Sequence, residues 1–174
     1  MAWLVLSYSL PSQSRSSNRV ALWRRLKRIG CFPHKSGVYI LPDREECSES
    51  FQWLCQEVQQ AKGSATFMRV ENFEGISDNQ LIEMVRELRK EDYRGIEASI
   101  EDLEKIMSKK KAVEDTRAVK GKIEKLKKGL SEIHEIDFFH SSQGKDVQQR
   151  LRKLESILRA RFLGIMRTFA HSKR

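Results

Sequence analysis

Residues 3–15, WLVLSYSLPSQSR, carry the reading on which the fold turns. Trp3 to Tyr8 is a short aromatic and β-branched apolar run bounded by Ser and Pro, the pattern of a central strand. Pro11 to Ser17 then reads as a turn, and Arg15 to Ile29 as a helix ended by Gly30, a residue favoured just past a helix C-terminus. At about 100° per residue, Leu22, Trp23, Leu26 and Ile29 share one face of that helix, and Arg24, Arg25, Lys27 and Arg28 fan across the other. The strand ends in Ser9 and carries no acid, at a place where many small nucleic-acid enzymes keep a carboxylate.

Working outward, Cys31–His34 and Val38–Leu41 read as two short strands joined by Lys35-Ser36-Gly37, a glycine-containing hairpin turn, with Pro42 stopping the second. Asp43–Lys62 reads as a second helix, acidic at its start as the helix dipole favours, with Phe51, Leu54, Cys55 and Val58 at helical spacing and Gly63 after its end. Ala65–Val70 is a fourth apolar strand. The order strand, helix, strand, strand, helix, strand predicts an α+β fold with a ferredoxin-like βαββαβ domain over residues 1–74.

From Ser77 the character changes, which predicts a helical extension over 75–174. Ser77 and Gln80 stand at capping-box spacing ahead of Leu81, Val85 and Leu88. Ile96, Ile100, Leu103 and Met107 recur every three or four residues, as do Val119, Ile123, Leu126, Leu130 and Ile133. Two such stripes on either side of Lys109-Lys110-Lys111 predict an antiparallel helical hairpin over about 77–135. Gly121 and Gly129 each weaken the second helix by about 1 kcal/mol against Ala, so it relies on packing. Asp137-Phe138-Phe139-His140 interrupts the pattern, Ser141–Gly144 reads as a linker, and Val147, Leu151, Leu154, Leu158, Ile165 and Phe169 mark a last helix over about 145–170.

Charge is unevenly placed along the 174 residues. Residues 1–42 hold seven Lys or Arg and no acid, whereas residues 43–104 hold seven bases and sixteen acids. Residues 105–128 are again basic, with ten bases and three acids, and residues 142–174 hold nine bases and two acids. Basic blocks separated by acidic ones suit a protein that meets a polyanion through particular faces. Cys31, Cys47 and Cys55 are odd in number and lack a Cys-x-x-Cys spacing, which argues against a disulfide framework or zinc knuckle and for a reduced, cytoplasmic setting. No apolar run reaches the length needed to span a bilayer, so no membrane partner is expected.

The motifs Trp3-Leu-Val-Leu-Ser-Tyr-Ser-Leu-Pro11, Trp23-Arg-Arg-Leu-Lys-Arg-Ile-Gly30, Gly37-Val-Tyr-Ile-Leu-Pro42 and Asp137-Phe-Phe139 resemble the N-terminal domain of ChrB, the chromate-resistance regulator, from Trp3 to about Phe162. Full-length members of that family carry a further domain associated with chromate sensing. This chain, ending at Arg174, looks like a stand-alone N-terminal domain or a fragment. More distantly, residues 3–71 look like the ferredoxin-like domain of PaaX-type repressors and of the small CRISPR-associated endoribonucleases. Those nucleases place an Asp after the first strand's Tyr to help hold a divalent metal. Ser9 stands there instead, and a neutral hydroxyl is a poor ligand for a hard cation.

These readings converge on a non-enzymatic, nucleic-acid-binding regulator with DNA as the partner, a homodimer as the expected assembly, and no cofactor, metal or catalytic residue. The candidate contact residues are Arg15, Arg19, Arg24, Arg25, Lys27, Arg28 and Lys35, supported by Arg152 and Arg159 of the last helix. The bland reading of each is solvated surface charge, and the same holds for the lysines from Lys105 to Lys128. Two other functions stand beside this one: a scaffold whose helical extension recruits a protein, and a divergent metal-dependent nuclease, against which Ser9 argues. His34, His134, His140 and His171 lack metal-ligand spacing. Trp3, Trp23 and Trp53 are expected in the core, an exposed Trp23 beside Arg24 being the alternative that could stack on a base. The three cysteines read as buried small hydrophobes.

Overall fold

The structure, a computed structural model, describes residues 1–108 and 116–171, with side chains described for 1–108 and 118–161. The Lys109-Lys110-Lys111 stretch lies outside the described residues, as do the side chains of Ile165, Arg167 and Phe169. The elements run β1 (Trp3–Ser9), α1 (Ser16–Arg28), β2 (Phe32–Lys35), β3 (Val38–Pro42), α2 (Glu45–Gln60), β4 (Ser64–Val70), α3 (Asp78–Ser108), α4 (Thr116–Glu135) and α5 (Gln143–His171). The fold is α+β: among the described residues there are one four-stranded antiparallel sheet and five helices. Every strand and helix read from periodicity is present. The stretch expected as a linker differs, since α5 begins inside it at Gln143.

The chain divides into two compact units, Met1–Leu88 with Ile136–Phe139, and Arg89–Glu135 with His140–Arg174. The change of composition at residue 75 marks the approach to α3, whereas the division by packing falls within that helix. Leu81 and Val85 are the reason, because both are buried against the sheet.

In the first unit the strand order is β2-β3-β1-β4, which makes β1 central. It pairs antiparallel with β3 (Leu4 opposite Leu41) and with β4 (Leu6 opposite Phe67). Because side chains alternate along a strand, Leu4 and Leu6 face the layer of α1 and α2, joining Leu22, Leu26, Phe51, Leu54 and Val58. Trp3 and Val5 face the other way, joining Ile40, Phe32, Leu81 and Val85. The continuous apolar run of β1 is thus explained by burial on both faces. Asp78, the first residue of α3, accepts a hydrogen bond from the Trp3 indole N–H at 2.8 Å.

The Asp137-Phe138-Phe139 stretch is more than an interruption between helices, because it returns to the sheet unit. Phe138 is buried beside Leu22 and Leu41, its carbonyl accepts from the Arg44 guanidinium at 2.9 Å, and that guanidinium lies 5.0 Å from the Phe138 ring. Phe139 stands 5.7 Å from Trp3 in a tilted aromatic pair. Gly30 makes room for this return. Its φ of +76° is left-handed, and a Cβ there would lie 2.7 Å from the Ile136 Cβ.

In the second unit, Tyr93, Ile100, Leu103 and Met107 of α3, Val119, Ile123 and Leu130 of α4, and Val147, Leu151 and Leu154 of α5 form one apolar cluster. The stripes read from the sequence are its lining. Leu126, Ile133 and Leu158 pack at its margin.

Two tryptophans depart from expectation. Trp3 is fully buried, but Trp23 is 54% exposed and Trp53 64% exposed. Each adjoins a residue that is buried, Leu22 and Leu54, and a helix step of about 100° from a core-facing residue turns the neighbour out of the core. Cys31 and Cys47 are buried and Cys55 is half-buried, as expected of small packing groups. Burial, then the nearby Glu46 carboxylate, pushes the Cys47 thiol up to about 11, and burial raises that of Cys55. Both remain protonated and unreactive near neutrality.

Candidate nucleic-acid interface

α1 begins at Ser16, just after Arg15, and has no acid in its first turn, while its last turn holds Arg25, Lys27 and Arg28. Leu22 and Leu26 anchor it to the sheet and so decide where each cation points. Arg24, Arg25 and Arg28 line one flank of the helix, where, with Asn18 and Ala21, they wall an open groove of about 520 Å³. The opposite wall is α2, contributing Glu57, Gln60 and Ala61.

The cations of this groove are not equivalent. Arg25 is ion-paired through Nη1 with Glu57. Among the described residues, neither Arg24 nor Arg28 has a hydrogen-bond or ion-pair partner. Two guanidinium groups four residues apart on one helix face, with no internal acid engaged, are suited to phosphate oxygens.

The remaining candidates of the first unit lie elsewhere. Arg19 donates to the carbonyls of Pro11 at 2.9 Å and Ser12 at 3.3 Å, so it fastens the turn between β1 and α1. Lys27 places its ammonium 5.7 Å from the ring centre of Trp23, a cation–π arrangement on the flank away from the groove. Arg15 precedes α1 as an exposed residue whose carbonyl accepts from the Asn18 N–H at 3.0 Å and whose guanidinium has no partner among the described residues. Lys35 ends β2, exposed, beside a turn that the Tyr8 N–H secures by donating to the Gly37 carbonyl at 2.9 Å.

Arg152 and Arg159 belong to the second unit, exposed and two turns apart on α5. They border a shallow groove with Glu155 and Ser156, and Glu155 is engaged by Lys127 at 3.2 Å. The sequence grouped nine cations as one candidate set; the structure brings Arg24, Arg25 and Arg28 together at one groove, and the other six are not among its lining residues. Glu57 and Gln60, which complete the groove, were missed because nothing in the sequence pairs an α2 carboxylate with α1.

Ser9 closes the β1–β4 ladder opposite Ser64 and is exposed. Nearby, Tyr8 stacks on Tyr39 at 5.7 Å, and its phenol is pushed up to about 12, chiefly by burial and then by its hydrogen bond with Tyr39, with Arg19 acting in the opposite sense. Among the described residues no group of three or more His, Cys, Asp or Glu side chains could hold a metal ion. No helix among them is long and apolar enough to cross a membrane.

The family model described as "Protein ChrB, N-terminal" matches residues 19–162. The chain belongs to the ChrB N-terminal family. The match begins inside α1 and so includes the groove residues Arg24, Arg25, Arg28, Glu57 and Gln60 as well as Arg152 and Arg159, whereas β1 and Ser9 precede it. The resemblance read from the sequence is therefore confirmed from Arg19 onward. No curated protein and no solved structure matches the chain.

Proposed function

We propose that this member of the ChrB N-terminal family is a non-enzymatic nucleic-acid-binding module, a transcriptional regulator of chromate resistance that contacts DNA through phosphates. The observation that carries the reading is the pair of partnerless guanidinium groups, Arg24 and Arg28, at the rim of the α1–α2 groove. Cations that no internal acid holds can neutralise phosphates and so release the counterions condensed on the polyanion, which is the main source of sequence-independent affinity. Membership of the ChrB N-terminal family is the link to chromate resistance.

The same proposal takes βαββαβ with strand order β2-β3-β1-β4 as a ferredoxin-like domain, active in the cytoplasm as a homodimer. Ser9 in place of an acid supports binding without cleavage. Fluorescence anisotropy against DNA from upstream of the protein's own gene, over a salt series, tests the reading. Tight binding that weakens steeply with salt and is lost in the Arg24→Ala/Arg28→Ala double variant is the expected result. No binding at low salt would sink it.

A further inference from the structure

We infer that the strand held at the α1–α2 groove is unpaired, with its phosphates on Arg24 and Arg28 and one base stacked on Trp53. The inference rests on the nucleic-acid reading above and specifies the partner of the same site.

Shape is the first argument. α1 is not a protruding helix, because α2 lies beside it in the same layer on the sheet. Packed helices have axes about 8–10 Å apart, and each is about 10–12 Å across with its side chains. Such a pair spans roughly 20 Å and does not enter a major groove about 12 Å wide. The cations it offers face a trough between helices, which fits a single backbone better than the convex surface of a duplex.

Trp53 is the second argument. Glu57 and Gln60 line the α2 wall of the trough, and Trp53 precedes them by four and seven residues, so it continues the same face of α2. β1 and β3 are antiparallel, and α1 and α2 each run back along the strand they follow, so the two helices are antiparallel. Moving from Arg25 to Arg28 along α1 is therefore moving from Glu57 towards Trp53 along α2. A 64% exposed indole, unusual for the largest apolar side chain, thus lies one turn beyond Glu57 in the direction of Arg28, just past the residues that line the trough. A solvent-facing aromatic beside partnerless guanidinium groups is the combination that binds single strands without sequence preference, because every base offers a π-face. Glu46 and Glu49, farther towards the start of α2, end the cationic track.

The test measures anisotropy of a fluorescein-labelled oligothymidylate and of a duplex of equal length, with wild-type protein, Trp53→Ala, Trp53→Phe and Arg24→Gln/Arg28→Gln. The exposure of all three positions allows each variant to fold, which circular dichroism verifies. The expected result is tighter binding of the single strand, weakened about 5- to 160-fold by Trp53→Ala, largely restored by Trp53→Phe, and weakened with a shallower salt dependence by the arginine pair. Duplex binding as tight as single-strand binding, or a Trp53→Ala variant that keeps full single-strand affinity while the arginine pair still matters, overturns the inference and leaves the nucleic-acid reading standing. Absence of binding to either oligonucleotide at low salt overturns both. A Trp53→Ala variant that changes only self-association assigns the indole to a dimer contact and overturns the stacking role alone.

Discussion

Glu57 holds Arg25 across the gap between α2 and α1, and Arg24 and Arg28 on the same helix have no such partner. The carboxylate is an internal competitor for any phosphate that approaches Arg25. Its charge both fixes the guanidinium and lowers the positive potential of the groove.

Replacing Glu57 by Gln is therefore expected to raise nucleic-acid affinity and to steepen the log–log salt dependence by up to about one unit, the contribution of one further phosphate contact. Binding isotherms at several salt concentrations check this. An unchanged slope would show that Arg25 never reaches the ligand. Both side chains are partly exposed, so the loss of stability from breaking the pair is expected to be at most about 1 kcal/mol.

Gly30→Ala is expected to destabilise the first unit by at least about 1–3 kcal/mol, from the left-handed backbone together with the 2.7 Å approach to Ile136. Equilibrium unfolding in urea measures it. Gly75→Ala provides the contrast, since its φ is also positive but a Cβ there meets nothing within 4 Å. The difference between the two variants reports the contact with Ile136, and equal losses would show that only the backbone matters.

Phe139→Ala removes the ring packed on Trp3 and is expected to cost about 2–3 kcal/mol, below the full range for a buried phenylalanine because Phe139 is only partly buried. A denaturation midpoint within error of the wild type would show that residues 136–139 do not stabilise the sheet unit.

Tyr8 supplies a pH dependence at the alkaline end. Its phenol titrates near 12 in the fold against 10.0 ordinarily, so the neutral form is the one the fold favours. The stability associated with it is fully present below about pH 10 and is lost as pH rises through the folded value. The free energy of unfolding, measured between those limits, should fall less steeply with pH in Tyr8→Phe than in the wild type. Parallel curves would place the alkaline sensitivity in other groups.

Much of this molecule was legible before any coordinates because the relevant signals are local. The capping box is an example: the Ser77 N–H donates to Gln80 Oε1 at 2.9 Å and the Gln80 N–H to Ser77 Oγ at 3.3 Å, as their spacing implies. Local, too, are the four-residue stripe that buries Ile100, Leu103 and Met107, and the run that makes β1 a central strand. Periodicity reports which residues leave water, since burial within one element repeats with the geometry of that element.

What the sequence by itself determined is the order of strands and helices, the apolar face of each, and a first helix rich in cations and free of acids. Tertiary structure decided which of those cations are engaged internally: Arg19 is turned to the Pro11 and Ser12 carbonyls, Arg25 to Glu57, and Lys27 to Trp23, leaving Arg24 and Arg28 without a side-chain partner at the groove. It likewise decided that Phe139 returns to Trp3 from 136 residues along the chain. The physical reason is common to both. Long flexible side chains take the partner that packing brings near, and partners distant in sequence are set by how elements stack, which no local period encodes.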